Sequence, residues 1–340
     1  MLRNAPLTLL LVLLLGCAPQ PELLEGRPGG PYRLTLSLDP AQPVAGEETI
    51  LEFELTYSKT GQPVRDLQVA HERLIHNFVI NLDFSSFAHI HHEDFYPLTE
   101  SDRNNARLRY PYRFPSAGRY RVVSEFAHRN RSWTKNFDIT VGAPSSVDSA
   151  TISNNVANNV ANNSADNLAN DLIDEQDDYR ARLMLDSGQP IVGAETALTL
   201  ALERNGVPVT DLALYLGSEM HGAVWREDGK YFGHLHSYTP KVAAILQMAH
   251  EESVDPVARG ARIQEMMVQL MCLDAELVFP GPKVPIKYVF PAPGRYVVFL
   301  EVAPEATPRV FKFGLEVTAA PLESATMVGR ASHPPIASIP

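Results

Sequence analysis

Tyr112-Arg-Phe-Pro-Ser-Ala-Gly-Arg-Tyr120 decides the fold, because it returns as Tyr288-Val-Phe-Pro-Ala-Pro-Gly-Arg-Tyr296. Phe-Pro-x-x-Gly-Arg-Tyr reads as a turn that runs directly into a strand. Proline and glycine set the reversal, and the residues that follow, Arg119–Glu125, alternate with period two. Working outward, Phe137 and Val141 match Phe313 and Val317 at the same spacing. Upstream, Gly61-Gln-Pro-Val-Arg-Asp-Leu67 matches Gly206-Val-Pro-Val-Thr-Asp-Leu212, and Tyr32-Arg33 matches Tyr179-Arg180. Asp39, Gln42, Pro43, Gly46, Glu48 and Thr49 match Asp186, Gln189, Pro190, Gly193, Glu195 and Thr196. Self-similarity over this length marks tandem domains.

Each copy reads as all-β. Short alternating segments such as Arg33–Leu38 and Ile50–Tyr57 are punctuated by Gly, Pro, Asn and Asp clusters. About seven strands in each copy point to two tandem immunoglobulin-like β-sandwich domains. Repeat 1 covers 32–142 and repeat 2 covers 179–318. Between them, 143–178 is dominated by Asn, Ala and Ser, reads as a flexible linker, and has too few apolar residues to bury a core. The segment 319–340 reads as a disordered tail. Repeat 2 also carries an insertion at about 241–275. There Val242, Ile245, Leu246 and Ala249, then Ile263, Met267, Leu270 and Met271, recur with helical period, and Asp255-Pro256 starts the second run. Two short helices are expected.

The first residues form an export signal. Arg3 precedes an apolar run, Leu7–Leu15, too short to cross a bilayer. Leu14-Leu15-Gly16-Cys17 resembles a lipobox, which implies a signal peptide at 1–16, cleavage before Cys17 and acylation (palmitate among the chains) of that cysteine. Several acyl chains make a stable membrane anchor. Residues 17–31, rich in Pro and Gly, read as the lipidated cysteine and its tether. By analogy with lipoprotein sorting, Ala18 implies the outer membrane of a Gram-negative envelope, facing the periplasm or the surface. The other cysteine, Cys272, is no partner for one at the export signal.

The histidines follow the repeat. Repeat 1 holds His76, then Phe87-Ala-His89-Ile-His91; repeat 2 holds His221, then Phe232-Gly-His234-Leu-His236. Asp228-Gly229 is a strong two-residue hairpin signal, and a turn there sets His221 opposite His236 and Ala223 opposite His234. Opposed residues share a face, as do residues two apart, so His221, His234 and His236 point the same way. The same argument brings together His76, His89 and His91. The face also carries Phe78, Ile80 and Phe87, or Trp225 and Phe232, so each cluster is expected at one end of its own sandwich core. Two readings stand at this point. The rings are structural, hydrogen-bonded to backbone and inherited through duplication; or each trio binds a transition metal. Burying three neighbouring imidazoles without an ion leaves polar atoms short of partners. His71 and Met220 are weaker candidate ligands. Imidazole suits copper and zinc alike, and Met248, His250, Met266, Met267, Met271 and Cys272 in the insertion, most of them soft sulfur ligands, tilt the expectation toward copper. His71, His92 and His128 occur in repeat 1 alone and read as surface or hydrogen-bonded side chains.

The strings HERLIHNFVINLDFSSFAHIHHEDF and GVPVTDLALYLGSEMHGAVWREDGKYFGHLH resemble a set of secreted bacterial tandem β-sandwich lipoproteins. That set shares a His, a turn Asp, Phe-x-His-x-His and Phe-Pro-x-x-Gly-x-Tyr, and accompanies copper or heavy-metal handling. The resemblance covers about two thirds of the chain and supports the same six histidines. This chain has His92 and Ser237 where those sequences usually place proline. A role in buffering copper, or in exchanging it with an envelope metal transporter or metallochaperone, is what the resemblance implies. A non-enzymatic adhesion or scaffold protein is the alternative.

Several functions find no support in the sequence. With a net charge of −11 and no basic run, nucleic acid is not an expected partner. There is no Gly-x-Ser-x-Gly elbow, phosphate loop or His-Glu-x-x-His helix, and no cysteine in the expected strands of either sandwich to complete a type 1 copper site. The expectation is a binding protein and not an enzyme.

Overall fold

The structure is a computed structural model that describes residues 22–25, 30–144, 172–186, 188–252, 256–273 and 276–319. The expected signal peptide, Cys17, most of the Asn-rich segment and residues 320–340 lie outside the described residues.

In the first domain, β1 (Glu22–Glu25), β2 (Tyr32–Asp39), β3 (Glu48–Tyr57), β4 (Ile75–Asn81) and β5 (Phe87–Ile90) are followed by α1 (Glu100–Asn105). Then come β6 (Arg107–Arg113), β7 (Gly118–His128) and β8 (Arg131–Val141). They form two antiparallel sheets, ordered β1-β2-β3-β6 and β5-β4-β7-β8. The second domain runs β9 (Ile173–Gln176), β10 (Tyr179–Leu185), β11 (Glu195–Arg204), β12 (Val207–Pro208), β13 (Leu212–Ala213), β14 (Met220–Arg226) and β15 (Phe232–His236). The helices α2 (Pro240–Glu252) and α3 (Pro256–Met271) follow, then β16 (Lys283–Val289), β17 (Gly294–Pro304) and β18 (Arg309–Val317). Its sheets repeat the plan: β9-β10-β11 with β16 on β11, and β15-β14-β17 with β18 on β17. These are tandem sandwiches of immunoglobulin type.

Two boundaries differ from the expectation. The tether supplies β1, which pairs with β2, and the linker supplies β9, which pairs with β10. Both are four-residue edge strands. An edge strand is held through main-chain hydrogen bonds on one side, so it needs no strong side-chain pattern and leaves little trace in sequence.

The Phe-Pro-x-x-Gly-Arg-Tyr element works as a corner. Tyr120 donates its hydroxyl to Ser116 O at 3.0 Å, and Tyr296 donates to Ala292 O at 2.8 Å. Both rings are buried, so each corner ties the turn to the core. Tyr296→Phe removes this bond together with the hydroxyl's contact to Arg226; urea unfolding is expected to show a loss of about 1 kcal/mol.

The strands differ in how much they bury. β2 alternates, sending Tyr32, Leu34, Leu36 and Leu38 inward. All seven residues of β4 are buried, and all but the last of β14. A strand buried on both faces belongs to a sheet covered on both sides. The cover is the other domain. The β5-β4-β7-β8 sheet packs against the β15-β14-β17-β18 sheet, with Phe78, Phe87 and Val123 meeting Trp225, Val297 and Phe299 in one apolar cluster. Phe87 stacks on Phe299 at a centroid distance of 4.5 Å, and Phe78 meets Phe232 at 5.0 Å. The hairpin tips are clasped reciprocally: Lys312 Nζ donates to Phe84 O at 2.9 Å, and Arg121 donates to Gly229 O. Phe84 takes the left-handed conformation that Gly229 occupies in the other copy, at φ 61° against 67°. That conformation costs a non-glycine residue about 1–2 kcal/mol. Burial of the Phe84 ring at the interface offsets it.

Candidate metal centre

Asp83 and Asp228 begin the site by shaping the hairpins. Asp83 Oδ1 accepts from Ser85 N at 2.8 Å, and Asp228 Oδ1 accepts from Lys230 N at 3.0 Å. Each side chain mimics a backbone turn and sets the register. The β14–β15 ladder then pairs His221 with His236 and Ala223 with His234, as the Asp-Gly turn dictates. In the first domain Phe78 pairs with His89 and Asn77 with Ile90. All six repeat histidines therefore stand on the outer face of their sheets, the face that the other domain covers.

His76, His89 and His91 converge. His76 Nδ1 lies 3.1 Å from His89 Nε2, and His91 Nε2 lies 3.0 Å from each of these atoms. The three residues are 3%, 8% and 0% exposed. The opposite nitrogen of each ring is engaged by an acceptor. His76 Nε2 donates to Ala70 O at 2.9 Å, His89 Nδ1 to Glu301 Oε2 at 3.0 Å, and His91 Nδ1 to Asp94 Oδ2 at 2.8 Å. A carbonyl or carboxylate accepts the N–H of a neutral imidazole and so fixes the proton on that nitrogen, leaving a bare lone pair on the other. Burial drives the protonated forms of His76 and His89 well below the ordinary range, helped by the neighbouring rings. It also lowers His91, against the opposing pull of Asp94. Three lone pairs thus face one another at 3.0–3.1 Å with no proton among them. A cation resolves that repulsion. At metal–nitrogen bonds of ~2.0 Å, these spacings subtend about 100° at the ion, the capping arrangement of a three-histidine site.

A second group forms from His71, His221 and His236, whose ligand atoms all lie within 4.8 Å of one another. His71 stacks on His236 at 4.2 Å and meets His221 at 5.2 Å. Among the described residues, His71 Nε2, both nitrogens of His221 and His236 Nε2 have no hydrogen-bond partner. Burial and the nearby His234 push His71 down to about 3, and burial with neighbouring rings holds His221 and His236 well below the ordinary range.

His234 stands between the groups, 4.3 Å from His236 and 5.8 Å from both His76 and His89 by ring centroids. It donates to Glu125 Oε2 at 2.9 Å. The His89–Glu301 and His234–Glu125 pairs occupy equivalent places in the two repeats, and each crosses from one domain to the other. Glu125 is held ionised below its ordinary range: burial pushes it up, but the His234 hydrogen bond and charge outweigh that.

Both domains match one sequence family, described as a domain of unknown function (DUF8832), over residues 29–143 and again over 174–319. The chain belongs to the DUF8832 family. No curated protein matches its sequence. Among solved structures, similar ones include the PmoD soluble domain of a Methylocystis species, at 14% identity and TM-score 0.23, covering 35% of this chain and 97% of that one. The Escherichia coli adhesin FdeC is similar at 11% identity and TM-score 0.23, over 87% and 66% of the two chains. Invasin, a bacterial integrin-binding protein, is similar at 11% identity and TM-score 0.21, over 83% and 38%.

Seen against the expectation, the DUF8832 pair rearranges the site in three ways. First, the histidines do not lie at the end of either sandwich core. They face the interface, because the apolar residues that accompany them on those strands pack against the other domain. Second, His71 joins the His221–His236 pair, and His234 stands apart with Glu125. His71 sits in a left-handed turn, φ 47° followed by 66° at Glu72, and its backbone N–H is held by Met271 O of α3 at 2.8 Å. That loop carries the ring across the interface. Third, Met220 is no ligand: it neighbours His221 on a strand, so it points into the core of the second domain. His92 and His128 are hydrogen-bonded side chains, to Arg109 O at 2.8 Å and to Tyr32 Oη at 2.5 Å. No motif in the sequence singles out Glu125, Glu301 or Asp94; the one trace of them is that Glu125 and Glu301 stand at the same position of the repeat.

Proposed function

We propose that this chain binds a transition metal, copper in preference and zinc as the alternative, in a buried three-histidine centre between its two domains. It buffers or delivers that metal at a bacterial cell envelope, anchored by lipid on Cys17. The observation that carries this reading is the triangle of bare nitrogens on His76, His89 and His91, each ring oriented from behind by an oxygen acceptor. Outer hydrogen bonds of this kind fix the tautomer and raise ligand basicity. The sequence offers no Gly-x-Ser-x-Gly elbow, phosphate loop or His-Glu-x-x-His helix, which favours carriage over catalysis. An envelope transporter or metallochaperone would supply or accept the ion.

The test is metal content and affinity of residues 18–340, measured by competition with a chelator of known affinity. The expected result is a tightly held ion at His76, His89 and His91, lost in His91→Ala. Failure to retain copper or zinc would return the protein to the scaffold reading. Glu301→Gln, which weakens an acceptor contributed by the other domain, is expected to reduce affinity about 10- to 100-fold with the ion count unchanged.

A further inference from the structure

We infer that His71, His221 and His236 form a second site, loaded with monovalent copper through a sulfur-lined cavity beneath α2 and α3. This deepens the metal-binding reading and rests on it. The two groups differ in three respects. The first triangle is tight and closed, and its outer nitrogens are all engaged. In the second, the ligand atoms lie within 4.8 Å of one another without pairing in hydrogen bonds, and each of the three rings keeps an unpartnered nitrogen. Two nitrogens binding one ion in line at ~2.0 Å each stand ~4 Å apart, a spacing suited to the low coordination numbers of monovalent copper. Finally, the second group has an entrance. A cavity of about 370 Å³ is lined by His71, His236, Val242, Met267, Met271 and Cys272.

The sulfur atoms give this cavity its chemistry. Thioether and thiol ligands favour soft monovalent copper over zinc. Cys272 is a free thiol at the exposed end of α3. Met271, the last residue of α3, lines the cavity and also holds the His71 backbone through its carbonyl. The insertion therefore both provides the soft wall and positions a histidine that the repeat motif does not supply. Glu219 also lines the cavity, but its carboxylate is committed to Ser237 Oγ and to the backbone of Val278 and Phe279.

The experiment uses the lipid-free chain of residues 18–340 with cuprous ion under anaerobic conditions, and zinc in parallel. Wild type is expected to take up two cuprous ions. His71→Ala should take up one, and His91→Ala should lose the other. The triple variant Met267→Leu, Met271→Leu, Cys272→Ser keeps side-chain volume. It should load cuprous ion at least tenfold more slowly by stopped-flow competition while taking up zinc at the wild-type rate. Urea unfolding identifies any variant that has lost its fold. Uptake of a single cuprous ion that only His91→Ala abolishes would overturn the second site and leave the first standing. Uptake of none would overturn both. Unchanged cuprous loading in the triple variant would overturn the sulfur-lined route.

Discussion

Acidifying the metal-free protein from pH 7 to pH 5 will open the interface between its domains. His71, His76, His89, His221 and His236 all have their protonated forms disfavoured in the folded state, with burial the leading cause. In the unfolded or separated state they return to the ordinary value near 6.5. Above that pH both states hold neutral rings, and nothing is lost. Below it, the open state binds protons that the closed state refuses, so stability falls as pH falls until the folded pKa values are reached. Each ring that stays neutral in the closed state adds to this penalty as the pH falls, by at most about 1.4 kcal/mol per pH unit. Trp225 is buried at the interface and reports the opening. Its emission should shift to the red between pH 6.5 and 5 in a Trp133→Phe background, with cooperative proton uptake. Saturating zinc should hold the transition to lower pH, because only neutral imidazoles bind the metal. A spectrum unchanged down to pH 4 would contradict the closed arrangement of the rings.

Phe299→Ala should both destabilise the protein and loosen its metal. The ring is fully buried and stacked on Phe87 of the other domain. Truncation of such a side chain costs about 3–5 kcal/mol. Glu301 lies two residues further along the same strand, on the same face, where it orients His89. A shift of β17 therefore reaches the metal centre through that carboxylate. Urea unfolding and chelator competition should show the two losses together. Truncating Phe53, a core residue of the first domain remote from the interface cluster, should lower stability with a smaller effect on affinity. Equal effects on affinity would show that the site does not depend on the interface.

Much of this was legible in the residues. Duplicated Tyr corners, alternating strands and turn signals lead to two sandwiches. The Asp228-Gly229 turn leads to the pairing of His221 with His236. The illegible parts have a common cause. A strand of period two distinguishes its faces but does not say which one is the domain core when both carry apolar side chains. On β4, Ile75 and Val79 face one way and Phe78 and Ile80 the other, and all are buried. His71 was equally hidden, because its place depends on a left-handed loop tied to the end of an inserted helix.

Local periodicity and turn chemistry alone determined the doubled sandwich and that the three repeat histidines of each sheet share one side of it. Only tertiary packing brought those two sides together. A contact between Glu125 and His234, or between Glu301 and His89, depends on docking surfaces separated by more than a hundred residues of chain. No short-range pattern encodes that docking; the apolar area it buries and the polar atoms it satisfies do.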